Sequence, residues 1–483
     1  MDQMSVIDAA FLYAESANTP MHIGGVAVFE GPPPSQDELL PRFAAKIGLV
    51  PRYRQVVRHL PLDVGRPGWV DDEHFNLAYH VRRTAVPSPG GRAELDALVG
   101  RVMSQHLDLH RPLWEMWVVE GLEDGQWAIV SKVHHCMVDG VASVDLMALL
   151  FDFERKPAPL PEPPPWTPEP APSTVEIATT SLAGLVSPIE GWRRLAGALR
   201  TPRSSFGSGM EAAKAIAGLA PKLLPPRSTS LNGSFGPHRR WTSAHGRLAD
   251  VKAIRAGLGG TVNDVVLAAI SRGFRDLLEV RGELVDGQIV RSMVPVSVRT
   301  DEEKGVFANK VSSVFVDLPV GTADPLARLA AVRAAMDDVK RTKGAVAGAR
   351  LTELSDFALP LLLAAGQRLA MQLPQTSFHT VTTNVPGPQR PVYFVGRRML
   401  HTAPMIPLAA SLRTAVGIFS YDGTLTFGLT GDFDTVPDLA VLARGIESGI
   451  EELLALATAA ATETPAQPPP APATTDRATE GAR

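Results

Sequence analysis

Proline is spread so unevenly along this chain of 483 residues that it limits where compact domains can form. Nine of the sixteen residues from Pro157 to Pro172 are proline. Because proline lacks an amide hydrogen and has a fixed φ, such a run favours extended polyproline II and indicates a semi-rigid spacer. The tail from Thr462 onward has almost no large apolar residue and is predicted to be disordered.

The proline pattern predicts two folded lobes joined by a linker. The predicted segments are an N-terminal lobe over 1–155, a Pro-rich linker or crossover over 156–180, a basic segment with the C-terminal lobe over 181–460, and a tail over 461–483. The length agrees with two lobes, because a domain commonly holds roughly 100–200 residues.

Composition excludes several classes of protein. The single cysteine rules out an internal disulfide and a zinc site built from cysteines, and 45% apolar residues are too many for a disordered chain. No stretch reaches the roughly 18 apolar residues of a membrane-spanning helix. The first residues lack the basic and apolar regions of a signal peptide, so we expect a soluble cytoplasmic protein that could still sit on a membrane surface.

Positive charge is concentrated in one segment of an otherwise acidic chain. Residues 191–255 contain twelve Lys and Arg and two acidic residues, a net charge of +10, whereas the whole chain has −4. Such a block suggests an anionic partner, which could be lipid headgroups, nucleotide phosphates or nucleic acid, or else a solvated face. A helix predicted after Ser187 carries an apolar stripe around Trp192, with Arg193 and Arg194 beside it.

Helix and strand patterns interleave in both lobes, which predicts the α/β class. Helices are predicted after Ser5, over Val141–Phe151, after Thr261 as far as Val280, and over Pro325–Lys343. Strands are predicted at His22–Phe29, Trp127–His135, Ile289–Val298, Lys310–Leu318 and Phe378–Val385. Asp422-Gly423 lies between two further β-type runs and is typical of a hairpin turn.

The sharpest chemical signal is the run His134–Gly140 (HHCMVDG), which lies where a predicted strand ends. Histidine is the side chain best suited to moving protons near neutral pH. Asp139 has the position to fix a turn or to pair with a distant arginine, and Gly140 frees the backbone where a side chain would collide. The run therefore predicts a general base presented at the end of a strand.

Other interpretations of this run stay open. The two histidines also fit one core and one surface residue, with Asp139-Gly140 as an ordinary turn. We expect no metal site, because adjacent residues on a strand point to opposite faces. Cys136 is either a nucleophile or, as is more usual for a lone cysteine, a small buried hydrophobe.

Further motifs have local explanations. Asn263 and Asp264 follow Thr261, and a threonine with an acidic residue three positions later is a capping box. Asn384 opens the Asn-Val-Pro-Gly-Pro run, which indicates a chain reversal. Pro112-Leu113-Trp114 before a strand suggests packing.

Taken together, these motifs resemble the bacterial wax ester synthase/acyl-CoA:diacylglycerol acyltransferase family, especially its actinobacterial triacylglycerol synthases. The resemblance extends from Ser5 to about Leu456. The matching positions are Asp8, Phe11, Leu12, Glu15, Met21–Gly24, Pro112–Trp114, His134–Gly140, Asn263-Asp264, Pro295–Arg299, Asn309-Lys310, Asn384–Pro388, Ser420–Gly423, Leu425, Phe427, Gly428 and Asp432. The double-histidine run alone is shared with other acyltransferases, including condensation domains, but the whole set in this order is more specific.

The resemblance implies a two-lobed, CoA-dependent acyltransferase fold like that of chloramphenicol acetyltransferase, with a tunnel at the lobe interface. It implies that His135 is the general base and that His134 supports it. It also implies that Asp139 orients the motif loop, for example through an ion pair with Arg299. Asn263 and Asp264 match the family's second motif, either at the substrate or as a helix cap. We assign Asn384 as an oxyanion donor.

The implied activity is transfer of a long-chain acyl group from acyl-CoA to the hydroxyl of diacylglycerol, which forms triacylglycerol, or of a long-chain alcohol, which forms a wax ester. Acyl-CoA is a co-substrate, and we expect no cofactor, no metal and no nucleic-acid partner. Peripheral contact with the inner membrane face or lipid droplets is also implied. Two alternatives remain, namely an acyltransferase acting on a polyketide, peptidyl or carrier-bound substrate, and a non-catalytic lipid-binding relative.

Overall fold

The structure is a computed structural model that describes residues 2–59, 66–137, 150–156, 166–170, 227–297, 311–341, 377–409 and 411–463. Several sequence predictions lie wholly or mostly outside these ranges. They are the helix over Val141–Phe151, the helix after Ser187, most of the Pro-rich run and nearly all of the tail.

The N-terminal half alternates short helices with strands. Its elements are β1 (Asp2–Gln3), α1 (Val6–Ala14), β2 (His22–Phe29), α2 (Gln36–Ile47), a 3-10 helix (Pro51–Arg54), β3 (Gln55–Arg58), β4 (Gly68–Asp71), α3 (Leu77–His80), β5 (Val81–Ala85), α4 (Arg92–Ser104), β6 (Trp114–Glu120), a 3-10 turn (Glu123–Gly125) and β7 (Trp127–His134).

The C-terminal half contains longer helices. Its elements are β8 (Arg239–Arg247), α5 (Leu248–Leu258), α6 (Val262–Val280), β9 (Val290–Ser297), β10 (Val311–Leu318), α7 (Pro325–Arg341), β11 (Thr380–Pro386), β12 (Tyr393–Phe394), β13 (Arg397–Met405), β14 (Thr414–Tyr421), β15 (Thr424–Asp432) and α8 (Leu439–Glu463).

The strands of the described residues form two six-stranded mixed sheets and one small sheet. The N-terminal sheet has the order β12-β13-β2-β7-β6-β5, the C-terminal sheet has the order β10-β9-β11-β14-β15-β8, and β1-β4-β3 form the third. Helices and mixed sheets in both halves confirm the α/β class. The tunnel expected at the lobe interface stays a prediction.

Local signals correctly predicted the starts of two helices and one hairpin turn. The Ser5 hydroxyl accepts a hydrogen bond from the Asp8 amide and starts α1, and Thr261 starts α6 through a complete capping box. The predicted hairpin is present, with positive φ at Asp422 (45°) and Gly423 (80°), the backbone of a two-residue turn whose twist matches its strands. The strand expected to end at His135 ends one residue earlier, at His134.

The two large sheets are joined by a strand exchange that no local pattern predicts. Strand β13 comes from the C-terminal half but pairs antiparallel with β2 of the N-terminal sheet. Gly417 and Gly428 face each other across β14 and β15, and a Cβ atom at Gly428 would lie 1.7 Å from the carbonyl oxygen of Pro404 in β13. The absence of side chains at these two glycines therefore lets β13 lie directly on the C-terminal sheet.

The described part of the Pro-rich run, residues 166–170, lies against the N-terminal lobe. The Arg54 guanidinium stacks 4.5 Å from the ring centroid of Trp166. The amide of Glu169 donates to Asp71 at 3.1 Å. This part of the predicted spacer is thus held by contacts with the N-terminal lobe.

Among the described helices, none is by itself long and apolar enough to cross a membrane, although α5 and α6, bent by 103°, satisfy the length and composition criteria as a pair.

Candidate active site

The double-histidine run is positioned by the end of β7 and by helix α1. In this strand His134 pairs with His22 of β2, and the chain turns immediately afterwards. Helix α1 carries Phe11 and ends at its C-cap Glu15, four residues later. Residues four apart share one face of a helix, so this short helix presents an aromatic ring and a carboxylate toward the turn.

Both ring nitrogens of the first histidine in the run form hydrogen bonds within the protein. His134 is fully buried, its Nδ1 accepts a hydrogen bond from the Cys136 amide at 3.1 Å, and its Nε2 lies 2.7 Å from Glu15 Oε2. Because an amide N–H can only donate, Nδ1 carries no proton and Nε2 donates to the carboxylate. His134 is therefore a structural member of the pair and has no nitrogen left for a substrate.

Glu15 is the centre of this hydrogen-bond network. Its second oxygen lies 2.7 Å from His106 Nδ1, while His106 Nε2 lies 3.2 Å from the Ala17 carbonyl oxygen. Burial alone would raise the pKa of Glu15, but hydrogen bonds from His134 and His106 and electrostatic attraction to the two rings outweigh burial and lower this pKa to about 2. Glu15 is thus an ionised carboxylate held between two imidazoles.

The second histidine is held by stacking and by its backbone. The His135 ring lies parallel to the Phe11 ring, with 3.7 Å between centroids and 16° between planes, and its amide donates to the Met21 carbonyl at 2.8 Å. His135 is half-buried, unlike His134. Because both nitrogens of His134 are already hydrogen-bonded within the protein, His135 is the candidate general base of this pair.

Cys136 behaves as a small hydrophobe. It packs within an apolar cluster that includes Leu12, Trp69 and Leu113. Burial is the main cause that raises the pKa of the Cys136 thiol well above its ordinary value, with the charges of Asp8 and Glu15 adding to it. A buried, protonated thiol is a poor nucleophile, which favours the packing interpretation of Cys136.

The structure brings together two motif residues that are 121 positions apart. The Asn384 side chain on β11 donates from Nδ2 to Oδ1 of Asn263, in the first turn of α6, at 3.4 Å. Asp264 instead faces its own helix, where its Oδ2 accepts from the Thr261 amide at 2.7 Å. The capping interpretation therefore holds for Asp264, while Asn263 and Asn384 form an accessible amide pair.

Three predicted site residues, Asp139, Gly140 and Arg299, lie outside the described ranges. The predicted ion pair that orients the motif loop through Asp139 thus stays a prediction.

The structure adds buried polar residues that sequence reasoning did not assign. His22 Nε2 donates to the Met103 carbonyl at 2.7 Å, and burial, aided by the charge of Lys132, lowers the pKa of His22 to about 3. Lys132 is fully buried on the face of β7 that also carries His134, and its Nζ lies 3.6 Å from Glu115 Oε2. The N-terminal motif contained Glu15, but no spacing in the sequence connects it with His134.

Among the described residues, no group of three or more His, Cys, Asp and Glu side chains has the geometry to hold a metal ion.

Comparison with protein families gives two matches along the chain. Residues 4–266 match the model of the wax ester synthase/diacylglycerol acyltransferase catalytic domain. Residues 307–454 match the model of the C-terminal domain of the same family. The first match contains the double-histidine run, Glu15, Asn263 and Asp264.

Individual relatives extend over nearly the whole chain. A probable diacylglycerol O-acyltransferase, tgs1, of Mycobacterium tuberculosis is 38% identical over 461 residues, which cover 94% of this chain and 96% of the relative. The solved structure of the wax ester synthase/diacylglycerol acyltransferase from Marinobacter aquaeolei is 25% identical, with a TM-score of 0.68, and covers 95% of this chain and all of that chain (100%). These similarities confirm the predicted two-lobed acyltransferase fold.

A more distant likeness concerns the fold alone. The first condensation domain of the calcium-dependent antibiotic synthetase has a TM-score of 0.56 at 15% identity and covers 94% of this chain and 96% of that chain.

The low pKa of Glu15 predicts a specific dependence of stability on pH. A carboxylate whose folded-state pKa is about 2, against an ordinary 4.5, stabilises the native state fully above pH 4.5 and loses this contribution as the pH falls toward 2. We expect Glu15→Gln to lower the free energy of unfolding at pH 7 by about 3 kcal/mol. Urea unfolding of both proteins between pH 7 and pH 2 measures this difference.

The difference between wild type and Glu15→Gln should shrink as the pH falls below 4.5. The matched control is Glu73→Gln, at an exposed position, which should leave the free energy of unfolding nearly unchanged at every pH. A Glu15→Gln effect that stayed constant down to pH 2 would show that the carboxylate does not carry the stabilisation.

Proposed function

The chain belongs to the wax ester synthase/diacylglycerol acyltransferase family, and on that premise we propose that it transfers a long-chain acyl group from acyl-CoA to the hydroxyl of diacylglycerol, forming triacylglycerol. The O-acyltransferase name of its mycobacterial relative supports both the reaction and this acceptor. The observation that carries the proposal is the family match over 4–266, which includes a double-histidine run held by Glu15. Long-chain alcohols are a second acceptor class, in line with the Marinobacter relative, which is a wax ester synthase as well as a diacylglycerol acyltransferase by name.

The proposed mechanism is direct acyl transfer with His135 as general base. His135 takes the proton of the acceptor hydroxyl while the hydroxyl oxygen attacks the thioester carbonyl carbon. The resulting tetrahedral oxyanion collapses, the carbon–sulfur bond breaks, and the imidazolium returns the proton to the leaving CoA thiolate. Positioned acid–base catalysis contributes roughly 10²–10⁴-fold, and orientation and oxyanion stabilisation supply the rest.

The remaining motif residues take supporting parts in this proposal. His134 holds the turn that presents His135, and Asp139 orients the same loop. Asn384 has an amide group with two N–H donors, one of which reaches Asn263, so the second is available to an oxyanion. Acyl-CoA is the co-substrate, and no step requires a metal or a further cofactor.

Two alternatives have weaker support. A carrier-bound or peptidyl acceptor rests on the likeness to a condensation domain, which at 15% identity concerns the fold alone. A non-catalytic lipid-binding role gives no reason for the half-buried His135 ring to be stacked on Phe11 beside a His134 that is held by Glu15.

Substitutions of His135 and Cys136 distinguish direct acyl transfer with a general base from a mechanism with a cysteine nucleophile. We expect His135→Ala to lower kcat for palmitoyl transfer from palmitoyl-CoA to diacylglycerol by about 10²–10⁴-fold, because the general base is lost. Cys136→Ala should keep most of the activity, since its thiol is buried and protonated. Chromatographic separation of labelled triacylglycerol measures both rates.

Folding is checked in parallel by circular dichroism and thermal unfolding. A folded His135→Ala protein with wild-type turnover would refute the role of His135. An inactive but folded Cys136→Ala protein would favour a covalent acyl-enzyme instead.

We also propose that the protein meets its insoluble substrates at the inner membrane face or at lipid droplets, through its basic segment. Residues 191–255 carry a net charge of +10, which suits an anionic lipid surface. In the described part of this segment Arg247, Lys252 and Arg255 are exposed, whereas Arg239 is buried and donates to the carbonyl oxygens of Gly236 and His238. Part of the charge is thus structural and part is available to a partner.

Liposome co-sedimentation tests this contact. Binding to vesicles with anionic lipid should fall by several-fold when salt rises from 0.05 M to 0.5 M, because the Debye length shortens to a few ångströms. The triple variant Arg247→Gln/Lys252→Gln/Arg255→Gln should bind more weakly than wild type. Binding that did not change with the salt concentration or with the anionic lipid content of the vesicles would argue against docking by this segment.

A further inference from the structure

A cavity lies between the lobes, at the opposite end of helix α4 from the histidine pair. It has a volume of about 360 Å³. Its apolar walls come from both lobes and include Val26, Val28, Leu95, Leu122, Trp241 and Ala403. Ligand pockets commonly have volumes of about 300–1,000 Å³, so this cavity can hold a small ligand.

The cavity is separate from the candidate active site. Along β2, Val28 in the cavity wall is six residues from His22, which pairs with His134, and this corresponds to about 20 Å of strand. Helix α4 gives a similar separation, because its first residue Arg92 lines the cavity while Met103 near its end binds His22. A buried apolar cluster, which includes Val99, Val102 and Val130, occupies the same face of the sheet as these residues.

One end of the cavity is polar and is formed by a chain of contacts. Arg92 donates to Ser243 Oγ at 3.3 Å, and Ser243 Oγ lies 3.2 Å from His245 Nε2. The ring of His401 follows, with its centroid 6.0 Å from that of His245. All four residues line the cavity together with the polar residues Asp96, Glu123, Gln126 and Thr424, so hydrogen-bonding groups converge beside the apolar walls.

A β-bulge aims one of these groups at the cavity. The register between β13 and β2 shifts between Met399 and His401. Met399 packs into the cluster with Phe29 on one face of the sheet, whereas Ala403 packs into the opposite cluster. In a regular strand Met399, His401 and Ala403 would share a face, so the bulge turns His401 toward the cavity; bulges commonly re-aim side chains at binding sites.

The charges around the polar end nearly cancel. Arg92 lies 3.7 Å from Asp96, and Glu123 adds a second carboxylate, while the N-terminus of α4, which no side chain caps, adds partial positive charge. Burial raises the pKa of Asp96 to about 6. Burial and neighbouring positive charge lower the pKa values of His245 and His401 to about 4, so both rings are neutral at pH 7.

From this geometry we propose that the cavity is a second, non-catalytic binding site for an uncharged, hydroxyl-bearing alkyl chain, with the chain against Val26, Val28 and Trp241 and the hydroxyl at Ser243, His245 and His401. A neutral head fits because the lining has no strong excess of either charge. A hydroxyl fits because it both donates and accepts, and neutral imidazoles and a serine offer both functions. The site is independent of the acyl-transfer reaction.

The test uses 10-bromodecanol with the full-length protein and no acyl-CoA. Anomalous scattering from bromine in co-crystals locates the chain, and calorimetry measures its affinity. We expect bromine within the cavity. We also expect at least a tenfold loss of affinity at this site in His245→Phe, which keeps an aromatic side chain but removes the two ring nitrogens that form hydrogen bonds. The matched control His238→Phe, whose ring lies outside the cavity against Phe433, should bind like wild type.

A second variant, His401→Phe, repeats the test at the other imidazole in case His245→Phe unfolds. The charged analogues 10-bromodecanoate and 10-bromodecyltrimethylammonium should bind at least tenfold more weakly at pH 7. The proposal is overturned if bromine lies only elsewhere, if neither variant weakens binding, or if a charged analogue binds as tightly as the alcohol. Because no acyl-CoA is present, an inactive enzyme would leave these results unchanged.

Discussion

The hydrogen bond between Glu15 and His134, 2.7 Å long, is the contact on which the arrangement of the candidate active site depends. It ties the end of α1 to the end of β7 across 119 residues of sequence. The same helix places Phe11 against the ring of His135. A single short helix thus contacts one histidine at its Nε2 and the other at its ring face, while the Cys136 amide occupies the Nδ1 of the first.

A second constraint holds the two lobes together around this site. Strand β13 leaves the C-terminal half to pair with β2, and β2 pairs on its other side with β7, which ends at His134. Pro404 of β13 rests on the facing glycines of β14 and β15. The strand that ends in the double-histidine run is therefore anchored, through two neighbouring strands, to the lobe that carries Asn263 and Asn384.

Sequence patterns predicted the local features well because their causes are local. The caps at Ser5 and Thr261 and the hairpin turn at Asp422-Gly423 depend on residues a few positions apart. The partnership of Glu15 with His134 and the bulge before His401 depend on chain segments that only the fold brings together, and periodicity carries no information about them. The run His134–Gly140 could be identified in the sequence, but only the structure shows that both ring nitrogens of His134 are hydrogen-bonded within the protein.

A double-mutant cycle on Glu15 and His134 tests the central claim most directly. The rate kcat for palmitoyl transfer to diacylglycerol is measured for Glu15→Gln, His134→Asn and the double variant, with folding checked for each. If Glu15 acts by holding His134, each single change lowers kcat by about tenfold or more, and the double variant loses at most about twofold beyond the worse single variant. Losses that multiply in the double variant would show that the two residues act independently and would contradict this account.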